Sequence, residues 1–246
     1  MRIPLFLLPL FAACASSAPG TSPISTDRPG LLYAASVVPV GSTQLELALP
    51  QVTAPRTQEP SRWRSALGVQ VRAGVVDGLE LRLGGLPLAL EGSKLGPTDL
   101  ELGAKLALSE RGPIALLASF TLPTASTPLG NGGPGSFLAL VADAPLGETL
   151  TGKVVLGWSR VEDRDGHSTE SALLGLLASK ALSVETGGYV ELVAQPSLDG
   201  GPDPLFAGLG FTRTLGSSMQ LDISLDRALG DTAPAWFATA GFSVRF

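Results

Sequence analysis

The chain has 246 residues, with 22 acidic and 17 basic side chains and a formal charge of −5. A hydrophobic share of 44% is too high for a disordered chain, and the acidic balance without Lys/Arg runs excludes the basic footprint of a nucleic-acid binder. One Cys and one His exclude a disulfide framework and a Cys/His zinc cluster, and no metal or cofactor is expected.

The N-terminus reads as an export leader. Arg2 precedes an apolar run over residues 3–13 and then small residues, the order of a secretory signal. The run is too short to span a bilayer as a helix, which takes about 20 apolar residues. Ala13-Cys14-Ala15 fits an A-x-A cleavage site and gives a leader over 1–15, the reading adopted here. Phe11-Ala12-Ala13-Cys14 also resembles a bacterial lipobox, with Phe in place of the usual Leu, and that route would leave Cys14 lipidated. Residues 16–42 then form a separate stretch ahead of the first strand.

From residue 43 onward the recurring period is two. Over residues 63–75, Trp63, Ser65, Leu67, Val69, Val71, Ala73 and Val75 alternate with Arg64, Ala66, Gly68, Gln70, Arg72 and Gly74. Leu100, Leu102, Ala104, Leu106 and Leu108 face Glu101, Gly103, Lys105 and Ala107, and Met219, Leu221, Ile223 and Leu225 face Gln220, Asp222, Ser224 and Asp226. Successive side chains of a strand point to opposite faces, so each segment has one apolar and one polar face. The pattern predicts about twelve strands, near 43–49, 63–75, 79–88, 99–108, 114–122, 136–143, 150–160, 169–180, 184–195, 205–214, 219–228 and 235–246. Those at 169–180 and 205–214 alternate poorly, and their facing stays open.

The connections alternate in length. Those at 50–62, 89–98, 123–135, 161–168, 196–204 and 229–234 are mostly long and rich in Gly, Pro, Asp or Ser, whereas 76–78, 109–113, 144–149, 181–183 and 215–218 are short. Short turns on one side and longer loops on the other are the asymmetry of a transmembrane antiparallel up-and-down β-barrel in a bacterial outer membrane. A soluble sandwich has no reason to sort its loops by parity. Trp63, Trp158 and Trp236 fall at strand ends assigned to the outer side, where amphipathic rings suit the membrane–water interface. Phe242, Val244 and Phe246 alternate into a C-terminal aromatic, the ending expected of an outer-membrane barrel and of a signal to the barrel-assembly machinery.

Several segments resemble a known family. They are Ser25-Thr26-Asp27-Arg28-Pro29-Gly30, Val40-Gly41 leading to Gln44-Leu45-Glu46, Gly74-Val75-Val76-Asp77-Gly78-Leu79-Glu80-Leu81-Arg82 and Asp99-Leu100-Glu101-Leu102-Gly103-Ala104-Lys105. The C-terminal pieces are Gln220-Leu221-Asp222, the run from Ala228 to Trp236 and Gly241-Phe242-Ser243-Val244-Arg245-Phe246. In order and spread they are similar to the bacterial outer-membrane "transporter" family of the MetA pathway of phenol degradation. The resemblance implies an outer-membrane barrel that passes small compounds, hydrophobic or aromatic ones among them. It implies no catalytic residues.

With the apolar face toward outer-membrane lipids, the polar face lines a lumen over residues 43–246. That places Glu46, Glu80, Glu101, Glu185, Glu191, Asp222 and Asp226 inside with Arg64, Arg72, Arg82, Lys105, Lys153 and Arg245. Two readings stay open: a polar pore whose opposed charges set selectivity for a small-molecule solute, and an interior closed by ion pairs. Residues 16–42 would lie in the periplasm or fold into the lumen as a plug, where Asp27 and Arg28 would find partners. A structural or surface-binding barrel, or a lipidated periplasmic β-protein, is the non-transport alternative.

Enzymatic chemistry is not expected. A Ser nucleophile needs a His held within hydrogen-bond reach, and His167 sits beside Ser168 in an acidic loop where adjacent residues point apart. The acids Glu162, Asp163, Asp165 and Glu170 lack calcium-loop spacing. Gly130-Asn131-Gly132-Gly133-Pro134-Gly135 has no helix or Lys following at P-loop spacing.

Overall fold

The computed structural model describes residues 23–54, 63–85, 88–109, 113–230 and 236–246. The leader over 1–15 and Cys14 lie outside the described residues. No described helix is long and apolar enough to cross a membrane. The described chain is built from strands: β1 (Thr43–Ala54), β2 (Arg64–Val76), β3 (Leu79–Gly84), β4 (Leu88–Glu91), β5 (Lys94–Pro97), β6 (Leu100–Ala107) and β7 (Ile114–Leu122). They continue with β8 (Gly135–Pro145), β9 (Leu150–Glu162), β10 (Ser168–Ala181), β11 (Thr186–Ala194), β12 (Leu205–Leu215), β13 (Met219–Leu229) and β14 (Trp236–Arg245).

All strands but β4 and β5 form a closed antiparallel barrel of 12 strands, in which each pairs with its neighbours in the chain and β1 closes on β14. At the seam the amide of Thr43 donates to the carbonyl of Phe246 at 3.2 Å, and that of Phe246 to Thr43 at 2.8 Å. Closure leaves no strand edge, which a membrane-spanning sheet requires because lipid offers its backbone no partners.

The two faces are those of a barrel in lipid. Along β13, Met219, Leu221, Ile223 and Leu225 are exposed while Gln220, Asp222, Ser224 and Asp226 are buried. A water-soluble fold would bury the apolar set. The two poorly alternating strands follow the same rule. Leu174 and Leu176 of β10 and Leu209 and Phe211 of β12 point outward, while Leu173, Gly175 and Gly210 point inward. Their inner faces are apolar or Gly along much of their length, with Ser179 and Thr212 toward the short turns, so polarity could not mark them.

Two stretches differ from the sequence expectation. Strand β1 continues past residue 49 to Ala54, because a bulge between Ala48 and Gln51 absorbs Pro50 and lets pairing resume. The connection expected at 89–98 holds the β4–β5 hairpin, and β4 pairs with the outer end of β2, Ala66 against Ala89 and Arg64 against Glu91. The closed ladder predicts that unboiled protein runs faster than boiled protein on a detergent gel. A single mobility before and after heating would contradict closure.

Candidate functional site

The lumen holds part of the chain itself. Residues 23–42 enter beside the short β12–β13 turn, where the amide of Ile24 donates to the carbonyl of Ser217 at 2.8 Å. They leave at Ser42, whose carbonyl accepts from Gly74 at 3.0 Å. In between they form no helix or strand apart from an isolated bridge of Val40 with Gly74. Buried amides must still find acceptors, and here the carboxylates of the wall supply them. Asp27 donates its amide to Glu46 at 3.2 Å, Leu31 to Glu191 at 3.0 Å, Ala35 to Asp143 at 3.2 Å and Val38 to Glu80 at 2.7 Å. Glycines on the wall make room. A Cβ at Gly74 would overlap the carbonyl oxygens of Val38 and Pro39, and one at Gly241 would meet the Arg28 guanidinium.

The densest electrostatics lie on β1, β2, β3 and β6. Arg72 donates to Glu46 at 2.7 Å and to Glu80 at 2.8 Å, and Arg82 donates to Glu80 at 2.9 Å. Asp27 enters this cluster from the inner segment. Its carboxylate accepts from Lys105 at 2.8 and 3.0 Å, from Arg82, and from the amide of Ala34 at 2.8 Å, with Arg72 3.8 Å away. Burial opposes its charge, but Arg72, Lys105 and Arg82 outweigh burial and hold the carboxyl well below the usual carboxylate range. The sign follows by linkage: a depressed carboxyl stabilises the docked state above its free-chain value of 3.8 and loses that contribution only as pH falls through the lower, docked value. Protection of the Ala35 and Val38 amides against hydrogen exchange is therefore expected to hold from pH 7 to pH 5. Loss of protection across that interval would contradict the assignment of Asp27 as the anchor.

The opposite wall takes the next residue. Arg28 donates to Asp222 at 3.0 Å and to Thr239 at 2.8 Å, and Gln220 donates to Thr26 at 2.7 Å. The adjacent Asp27 and Arg28 thus reach a basic and an acidic wall respectively. Across β7 to β11 the inner face carries an apolar patch, where Leu32 and Ala35 pack against Ala115, Ala139, Val141, Val155, Leu173 and Val193. Tyr33 lies 5.5 Å from the Phe137 ring, with the Arg82 guanidinium 5.7 Å from its own ring. Beside the segment, toward the short turns, a cavity of about 460 Å³ is bounded by Lys153, Thr151, Ser179, Thr212, Tyr189 and Leu32.

Of the thirteen charged residues expected inside, Glu46, Arg72, Glu80, Arg82, Lys105, Glu191, Asp222, Asp226 and Arg245 are buried on inward positions. Glu101 is half-buried on β6. Lys153, half-buried, stands 3.8 Å from Asp143. Arg64 lies at the outer end, 3.7 Å from Glu91 of the β4–β5 hairpin and donating to the Leu129 carbonyl at 3.2 Å. Glu185 is a correction: it is exposed in the short turn before β11, 3.4 Å from an equally exposed Arg213, because the strand begins at Thr186. Buried Asp226 sits against Glu191, a second buried acid of the wall.

Asp143 and the apolar inner wall carry no signal in the sequence, and Gln44 and Gln220, uncharged, are not among the thirteen residues expected to line the lumen. Asp143 follows Phe137, Ala139 and Val141 at the same parity on a strand apolar on both faces, so its alternation gave no side.

Trp63 and Trp236 are exposed at outer strand ends, with Arg227 5.0 Å from the Trp236 ring, and half-buried Trp158 donates its indole N–H to Glu170 at 3.1 Å. Phe242 and Val244 are half-buried on β14, and Phe246 is exposed at the seam. Asp163, Asp165 and His167 cluster in an exposed outer turn. There the amides of His167 and Asp165 donate to Asp163 at 2.9 Å each and lower its carboxyl, while Ser168 is bonded to Arg160 at 2.8 Å.

The barrel is similar to solved outer-membrane structures. The COG4313 outer membrane channel from Pseudomonas putida F1 aligns at a TM-score of 0.65 and 16% identity, over 89% of this chain and 99% of that one. The KdgM porin, solved in complex with disordered oligogalacturonate, aligns at 0.55 and 10% identity over 83% of this chain and 99% of its own. The β domain of the Bordetella autotransporter BrkA aligns at 0.53 and 17% identity over 83% and 98%. Channels, porins and an autotransporter domain share this architecture, so it fixes the fold and leaves the cargo to the lumen. No curated protein matches the chain. The family described as "Putative MetA-pathway of phenol degradation" matches over residues 26–246, and the chain belongs to it.

Proposed function

We propose that this chain is an outer-membrane channel for small molecules, hydrophobic or aromatic ones among them, and that residues 23–42 close its mixed-charge lumen in the state described. The observation that carries the reading is how those residues are held. Between residues 26 and 38, every described hydrogen bond to the wall uses a side chain on at least one partner. A segment held by side chains can leave without breaking a strand ladder. Its apolar packing, Leu32 and Ala35 against the wall, is also of the kind that bars ions by dewetting. The apolar inner wall and the family's phenol-degradation description support an aromatic cargo. Export by the leader, lipid around the apolar belt and delivery by the barrel-assembly machinery through the Phe246 ending belong to the same reading.

The test is swelling of vesicles that contain the refolded barrel, in isotonic phenyl glucoside and in isotonic methyl glucoside, with protein-free vesicles as the blank. Faster entry of the larger, aromatic glucoside supports the proposal. No swelling in either, by the whole chain and by a chain lacking residues 23–38, would instead support a closed structural barrel.

A further inference from the structure

We infer that Arg82 and Lys105, with Arg72 beside them, form a carboxylate site in the lumen that Asp27 fills in this state and that a small monocarboxylate with an apolar body fills when the segment withdraws. The inference rests on the channel reading above and names the solute class it would serve.

Three observations converge. The first is charge. Within ion-pair reach, the bases Arg72, Arg82 and Lys105 meet two acids of the wall, Glu46 and Glu80, and the third acid, Asp27, is the one that does not belong to the barrel. Counted over those ion pairs, and apart from half-buried Glu101 of the wall, whose charge also acts on Arg82, loss of Asp27 leaves one buried positive charge in excess, which a monoanion balances, a cation worsens and a dianion overshoots. Buried charge of one sign is costly enough that the site selects for this balance.

The second is geometry. Lys105 reaches both oxygens of the carboxylate and Arg82 reaches one, and all three bases are at most 1% exposed at the side chain. Glu80 of the wall already pairs with Arg72 and Arg82 and lies 3.8 Å from Lys105, so the donors that meet Asp27 are those the wall's own acids leave available.

The third is the surroundings. The carboxylate of Asp27 is tied through the Ala34 amide to a turn that presents Leu32 to the apolar wall and Tyr33 to Phe137 and Arg82. The segment therefore offers the lumen a carboxylate, an aromatic ring and an aliphatic body together, the profile of an aromatic or branched acid. The cavity of about 460 Å³ lies on the short-turn side of the segment and touches Thr26 and Arg28, the chain neighbours of Asp27, and Leu32 and Ala34.

The experiment uses refolded Asp27→Ala protein titrated calorimetrically with sodium benzoate, sodium acetate and benzyl alcohol, with the heat-shift gel as the check on folding. Benzoate is expected to bind the variant at least tenfold tighter than it binds the unaltered chain. It is also expected to bind the variant at least tenfold tighter than benzyl alcohol or acetate do. Adding Lys105→Met should remove the benzoate preference. Asp27→Asn, which keeps the shape of the side chain, takes the place of Asp27→Ala should that variant not fold. Equal binding of benzoate and benzyl alcohol by a folded variant overturns the site. A barrel that conducts without any carboxylate preference overturns the site and leaves the channel standing. Benzoate-selective binding in a barrel that carries no current supports the site and overturns the channel.

Discussion

Replacing Asp27 by Ala is expected to lower the hydrogen-exchange protection of the Leu31, Ala35 and Val38 amides by roughly a hundred- to a thousandfold. Removing one partner of a buried ion pair costs about 3–5 kcal/mol, because the other charge stays buried and unpaired, and about 1.4 kcal/mol is a factor of ten. Here Arg82 and Lys105 both lose the carboxylate that pairs them with the inner segment, and Lys105 keeps only its bonds to the Ala34 and Ser36 carbonyls. Those three amides bond to Glu191, Asp143 and Glu80 rather than to Asp27, so they report release of the whole segment and not loss of one bond. The barrel itself should survive, since its ladders run strand to strand without passing through residue 27. A heat-shifted barrel with unchanged protection at all three amides would show that Asp27 is not the anchor.

Ile223→Arg is expected to destabilise the barrel by roughly 2–4 kcal/mol, the cost of an Arg at the lipid face near the bilayer midplane. Ile223 lies mid-strand on β13 and points outward, 56% exposed, between the inward Asp222 and Ser224. Asp222→Asn, one residue away, should leave that stability nearly unchanged and loosen the segment by weakening the bond from Arg28. Reversible unfolding from vesicles measures both. Equal tolerance of the two substitutions would mean that the assigned faces are wrong, because a one-residue slip exchanges every inward and outward side chain.

The barrel was legible because strands in lipid that line a polar lumen advertise their two faces. Met219 to Asp226 alternates without a break, and the same holds for Leu100 to Leu108, so ends and facing followed from parity. The long and short connections then gave the closure. Legibility failed where the inner wall is apolar. Ala139, Val141, Val155 and Leu173 face the lumen but read as core on either side, and Asp143 was hidden among them. The β4–β5 hairpin was missed because four-residue strands are too short for periodicity to register. The site itself was half legible. Parity put Arg72, Arg82 and Lys105 on one side, but it carries no information on which distant residue completes them. That residue, Asp27, belongs to a stretch with no periodicity, and only the closed barrel brings it within reach of residues 55 and 78 positions further along.

On the channel reading, residues 23–42 close a pore that is otherwise open. Single-channel current across a planar bilayer, recorded with the refolded whole chain and with a chain lacking residues 23–38, tests that directly. Small or rare steps are expected from the whole chain, and frequent, salt-dependent steps of several-fold larger conductance from the shortened one. Silence from both, with the heat-shift gel confirming folded barrels, would contradict the channel reading: the lumen would be closed by its own wall.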